Sequence, residues 1–360
     1  MGIFQKSVLN KYLETIDNNK LKTSFDNFKN EYEVKIKNIL EIKEESYQEG
    51  FLRDIFVTCF GYTINPSVDY NLTTEYKDLS DSKKADGAIL KEGNPVVVIE
   101  LKSAKIKDLN SITNQAFSYK NNHPGCKYVI TSNFEKLRFY IENSNEYEEF
   151  NLFNFKKEED FKLFYLCLHK DNLLNDIPSE IKEKSRLHEV EITKRLYDDY
   201  ANFKRKIFDN LVKNNPEIDK IRLLKLTQKL LDRFIFILFA EDRRLLPPNV
   251  IYNIIEQYKT AWDHRTLYDH YKAFFKLIDK GLTKNKIDIC GYNGELFKDD
   301  QFLDNLKIDD DILNEDALNL SKYDFDSEID VNILGHIFEH SLNELEELSA
   351  QVNGEKFDKT

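Results

Sequence analysis

The chain of 360 residues is long enough for two domains, each burying its own core. With 41% hydrophobic and 32% charged residues it reads as globular, which excludes a collagen-like or disordered chain. A formal net charge of −12 argues against a general polyanion binder, so any phosphate-binding surface has to be local.

The N-terminal segment "MGIFQKSVLNKYL" has no apolar signal core, and apolar runs such as "FIFILFA" at 234–240 are far short of the roughly 20 residues a membrane helix needs. A cytoplasmic protein with no membrane partner is expected. Cys59, Cys126, Cys167 and Cys290 are widely spaced with no CxxC pair, so neither a zinc ribbon nor a disulfide framework is indicated.

From residue 4 to about 58, Leu, Ile and Phe recur every three or four positions, which predicts helices ending at the glycine of "FGY" (60–62). Strand-type runs follow: "YNLTTEY" (70–76), "ADGAIL" (85–90) and "PVVVIELK" (95–102), the last two joined by the turn "KEGN". "SITNQAFSYKNN" (111–122) predicts a helix broken at "HPGC". "KYVITS" (127–132) and "KLRFYIE" (136–142) return to strand, with Asn133 in the turn. This order predicts a mixed sheet with flanking helices.

After "FKLFYLCLHK" the strands largely disappear. Residues from about 185 to 350 read as an all-α domain whose central helix lies in "RLLKLTQKLLDRFIFILFAEDRRLLPP", stopped at Pro247 and Pro248. The expected layout is a first domain over 1–170, a helical domain over 185–350, and a linker or cut end at 351–360.

The run "PVVVIELKSAK" ends in Glu100 and Lys102, which share one face because side chains at i and i+2 of a strand point the same way. A charged pair at the end of a buried strand needs partners. Asp86 lies 14 positions before Glu100, and folding "KEGN" as a hairpin turn brings it across from Glu100. Two converging carboxylates make a hard-oxygen site suited to Mg²⁺, which keeps several waters and takes substrate phosphate oxygens. Such a metal lowers the pKa of a bound water, and Lys102 can orient that water or offset developing charge.

ExK alone carries little information. The chain also has Glu33 with Lys35, Glu41 with Lys43, Glu75 with Lys77 and Glu180 with Lys182. Only Glu100 with Lys102 has both the buried strand and the spaced Asp.

Gln115 and Tyr119, four apart on the following helix, can meet the strand's polar end or DNA. Glu45 and Gln48 lie in the helix before "FGY", where an acid can complete the metal shell. Lys83, Lys84, Lys105 and Lys107 surround the proposed site as a local basic patch fit for phosphate contact. His336, Glu339 and His340 spell HxxEH, but a zinc site of that type needs a third ligand far downstream, so a polar helix face is the better reading.

These residues carry a resemblance. "SKKADGAIL", "PVVVIELKSAK" and "NQAFSYK" together resemble the PD-(D/E)xK nuclease domain at the N-terminus of Type IIG restriction-modification enzymes. "LLDRFIFILFAEDRRLLPP" and "DVNILGHIFEHSLNELEEL" are similar to the helical connector that follows it.

The resemblance implies an α/β restriction-endonuclease-like fold and Mg²⁺-dependent hydrolysis of double-stranded DNA, leaving 5′-phosphate and 3′-hydroxyl ends. It assigns Asp86 and Glu100 as metal ligands, Lys102 as the catalytic lysine, Gln115 as the following-helix glutamine and Glu45 as the helical acid. Ala85 stands where the family's variable proline would be.

Such enzymes continue, in the same chain, into an adenine-N6 methyltransferase using S-adenosylmethionine and into target recognition. The glycine-rich and Asn-Pro-Pro-Tyr-type motifs of that half do not occur here, so the expectation is a nuclease half that ends before it. Whether two chains pair on DNA stays open. The competing reading is a catalytically silent DNA-binding or scaffold module that docks a methyltransferase or another partner.

Overall fold

The structure, a computed structural model, describes residues 2–77, 84–284, 287–292, 294–329, 333–335, 337–339 and 343. The chain divides into two compact units, Met1–Leu187 and His188–Thr360.

The first unit opens with α1 (Lys6–Leu13), α2 (Asn18–Glu31) and α3 (Glu44–Phe51). Asp17 caps α2 by accepting from the backbone N–H groups of Asn19 and Lys20. α3 runs on into wider π-helical turns over Leu52–Cys59. The helix then stops at Gly61, whose φ of +75° is the left-handed conformation that glycine adopts at least cost.

A six-stranded sheet follows, formed by β1 (Leu72–Lys77), β2 (Lys84–Lys91), β3 (Asn94–Leu101), β4 (Tyr128–Ser132), β5 (Lys136–Ile141) and β6 (Tyr147–Asn151). Spatial order equals chain order. All neighbours are antiparallel except β3 and β4, which run parallel with α4 (Asn110–Asn121) as the crossover between them. The sheet is therefore mixed, with flanking helices.

Alternation along β3 sorts its side chains. Val97, Ile99 and Leu101 join the large core with Phe28, Phe51, Phe56 and Phe60. Val98 instead packs with Tyr119 of α4. Burial on both faces explains why the strand reads as an unbroken apolar run. Glu100 has the parity of Val98 and so lies toward α4.

The first unit extends past residue 170, through α5 (Glu158–Leu168) and into α6 (Ile177–Asn214). Leu173 and Ile181 belong to its core, and Lys182 Nζ donates to the Ile141 carbonyl at 2.9 Å. The division between units falls inside α6, after Leu187.

The second unit is helical around α7 (Lys220–Asp242), α8 (Val250–Thr260), α9 (Leu267–Lys280) and α10 (Asp310–Leu320). Two corrections to the sequence reading arise here. α7 stops at Asp242, before the prolines: Arg244 turns to a φ of +61°, and the N–H groups of Leu245 and Leu246 both fold back onto the Ala240 carbonyl.

The region is also not wholly α. A short hairpin, β7 (Leu282–Lys284) with β8 (Ile287–Ile289), interrupts it. Strands of three residues are too short to show a period of two. The expected tail at 351–360, and His336 and His340 of the HxxEH pattern, lie outside the described residues. Among the described residues no helix is long and apolar enough to cross a membrane.

Candidate active site

Hairpin pairing of β2 and β3 runs through Gly87 opposite Ile99, and the next residue along each strand is Asp86 and Glu100. At this splayed end a side chain replaces the backbone ladder. Asp86 Oδ2 accepts from the Leu101 N–H at 2.7 Å, while the next amide, that of Lys102, donates to the Ser132 carbonyl of β4 at 2.8 Å. The strand end is thus fixed from both sides.

Glu100 is 1% exposed. Its Oε1 accepts from Gln115 Nε2 of α4 at 2.6 Å and from Lys102 Nζ at 3.1 Å. Lys102 Nζ also reaches Glu44 Oε1 of α3 at 3.3 Å and the Leu101 carbonyl at 3.0 Å. Glu44 Oε2 accepts from the Ser103 N–H at 3.2 Å, and Gln48 Nε2 donates to Asp86 Oδ1 at 3.0 Å. Two strands and two helices converge on one cluster of three carboxylates and one ammonium.

The electrostatics follow from burial. Glu100 is pushed up to about 7, first by burial and then by the charge of Asp86, against the pull of Lys102. Asp86 is also raised by burial, although the Leu101 N–H and Lys102 act against it. Burial draws the Lys102 ammonium down, but Glu100, Glu44 and Asp86 outweigh it, so its pKa is raised and its charge is held. Two crowded carboxylates beside one lysine favour uptake of a further cation or of a proton.

The donor set fits Mg²⁺. Asp86 and Glu100 offer hard oxygens from adjacent strands, and Glu100 Oε2 is buried with no hydrogen-bond partner among the described residues. No group of three or more His, Cys, Asp or Glu arranged to hold a metal ion occurs among the described residues. Two carboxylate ligands are the kind of donor set that Mg²⁺ takes while completing its shell with water and substrate oxygens.

The structure brings Asp86, Glu100, Lys102 and Gln115 together. It does not bring in Glu45, which is exposed on α3; its neighbour Glu44 faces Lys102 instead. The helical phase that selects Glu44 follows once the buried stripe of α3 is known. Counting back from the buried Tyr47 and Phe51 by three and seven positions lands on Glu44, on the inward face of the helix.

Tyr119 is corrected as a DNA contact. It is 5% exposed, packs with Ala85, Val98 and Cys126, and its hydroxyl accepts from Gln115 Nε2 at 3.3 Å. Its role there is to hold the glutamine. Of the basic patch, Lys83 lies outside the described residues and Lys105 is exposed. Lys84 pairs with Glu75 at 2.9 Å and Lys107 with Glu135. Exposed pairs of this kind contribute little and exchange readily for phosphate.

No curated protein and no solved structure matches the chain. Residues 43–153 match the family described as the N terminus of the R protein of Type I restriction enzymes. The matched stretch is less than a third of the chain, yet it runs from the residue before α3 to just beyond β6 and so contains every residue of the cluster. What the chain is similar to, over the segment that builds this site, is the N-terminal part of a restriction enzyme.

Proposed function

We propose that the first unit is a Mg²⁺-dependent DNA endonuclease module, with the PD-(D/E)xK site formed by Asp86, Glu100 and Lys102. The observation that carries the reading is the bridging position of Lys102 between Glu100 and Glu44, with Asp86 pinned to the adjacent backbone amide. An ordinary strand-end salt bridge needs neither the third carboxylate nor the two glutamines.

Asp86 and Glu100 would hold the cation, which would supply Lewis acidity toward a phosphodiester and an attacking water. Gln115 fixes Glu100, and Gln48 fixes Asp86, so neither carboxylate has to reorganise. Lys102 stays protonated among three acids and supplies positive charge where the phosphate becomes more negative. Lys84, Lys105 and Lys107 contact backbone phosphates without reading sequence.

The similarity to a restriction-enzyme N terminus supports double-stranded DNA as substrate. Assignment to the Type IIG branch, with methyltransferase and recognition domains in cis, rests on the connector phrases at 230–248 and 330–348. S-adenosylmethionine enters only through that methyltransferase.

The test is nicking of supercoiled plasmid with Mg²⁺ by wild type, Asp86→Ala and Lys102→Ala. Wild-type nicking lost in both variants is the expected result. Equal nicking by all three removes the site assignment. DNA binding without nicking by any of them favours the silent module.

A further inference from the structure

Two buried side-chain oxygens of the sheet have no hydrogen-bond partner among the described residues: Glu100 Oε2 and Thr131 Oγ1. They belong to register partners. β3 and β4 pair in parallel with Glu100 beside Thr131, and partners in such a ladder present their side chains on the same face about 5 Å apart. Thr131 is 0% exposed, and no bond joins it to Glu100.

A buried polar atom without a partner calls for an explanation, and two as register neighbours on one face, beside the carboxylates of the candidate site, call for a shared one. The alternative, a hydroxyl placed for packing, is better served by valine in a central strand, because a buried hydroxyl left unmet carries its full desolvation cost.

We propose that Thr131 is a further positioning residue of the cation site. Its hydroxyl stands in register beside Glu100 and, when a divalent cation is held at Asp86 and Glu100, would donate to Glu100 Oε2 and fix that carboxylate for the cation. The inference rests on the cation reading above and adds a third strand-borne group to it. Gln115 and Lys102 occupy Glu100 Oε1, so Oε2 is the oxygen left for the hydroxyl to support, and Thr131 is its neighbour in register.

The test is Mn²⁺ and Mg²⁺ binding to the full chain by calorimetry for wild type, Thr131→Val, Thr131→Ala and Thr131→Ser, with thermal unfolding in chelator alongside. The Val and Ala variants should each weaken cation affinity by about tenfold or more, and the Ser variant should stay within about threefold of wild type, as expected for a group supporting metal ligands. Thr131→Val should not lower the unfolding temperature in chelator, because it removes an unpartnered hydroxyl.

Equal affinity in wild type, Val and Ala variants overturns the inference and leaves the site at Asp86 and Glu100 standing. Unchanged affinity with a lowered unfolding temperature also overturns it, by making the hydroxyl structural. A wild-type chain that binds neither cation overturns the cation reading and this inference with it.

Discussion

Arg233 in the helical unit and Glu100 in the sheet unit are each 1% exposed, yet their surroundings differ in kind. Arg233 donates to the Leu296 and Lys298 carbonyls at 2.8 and 3.1 Å, and its guanidinium lies over the rings of Phe275 and Phe297. Its charge is spent on the fold. Glu100 has one oxygen with no partner among the described residues, is pushed toward neutrality, and stands beside a second carboxylate. A buried charge whose partners are complete stabilises a structure; one left incomplete is where function is to be sought.

The largest effects should separate the two kinds of burial. Lys102→Ala should reduce plasmid cleavage by about 10²-fold or more while changing stability little. Arg233→Met should leave the chemistry of the first unit intact but destabilise the second unit by about 2–4 kcal/mol, through two abandoned carbonyls and lost ring contacts. Cleavage assays beside urea unfolding read both. A Lys102→Ala chain that unfolds as readily as Arg233→Met breaks the contrast.

Protonation sharpens it next. Because the folded-state pKa of Glu100 is raised, its contribution is full below the ordinary carboxylate range and is lost as pH rises through about 7. In chelator, the first unit should therefore be about 1–3 kcal/mol less stable at pH 8 than at pH 5. Glu100→Gln should flatten that slope, and a divalent cation should offset it in wild type alone. In the second unit burial pushes Asp232 up to about 6, with the same sign, so its loss is complete at lower pH. Unfolding followed with a probe in each unit distinguishes the two windows.

Smaller effects test the shell around Lys102. Glu44→Gln should weaken cleavage about tenfold, whereas Glu45→Gln should leave it at the wild-type rate. Equal loss in both returns the helical acid to Glu45. Smallest is Tyr119→Phe. Removing the hydroxyl frees one face of Gln115 at a cost of about 1 kcal/mol or less, and DNA affinity measured by filter binding should not change.

Much of this arrangement is legible without coordinates. A β-branched run ending in Glu100 and Lys102, a turn, and an Asp at hairpin distance are local features governed by the two-residue period of a strand. The misreadings share a cause as well. Glu45 against Glu44 is a question of helical phase, which depends on the stripe buried by Tyr47 and Phe51. Tyr119 reads equally as packing or contact until the sheet covers it. The hairpin at 282–289 is shorter than any pattern that would announce it.

The chain's order of residues was enough to anticipate the mixed sheet, a largely helical second half and the hairpin that sets Asp86 across from Glu100, because each rests on near-neighbour periodicity or on a single turn. Tertiary structure decided which acid of α3 enters, where the first unit ends within α6, and that Thr131 stands beside Glu100. Those depend on contacts between segments far apart in sequence: Glu44 with Lys102 is a pair 58 positions apart, and Glu100 meets Thr131 only through a parallel crossover. No local pattern encodes that register, since the two strands are joined through α4, which packs against both.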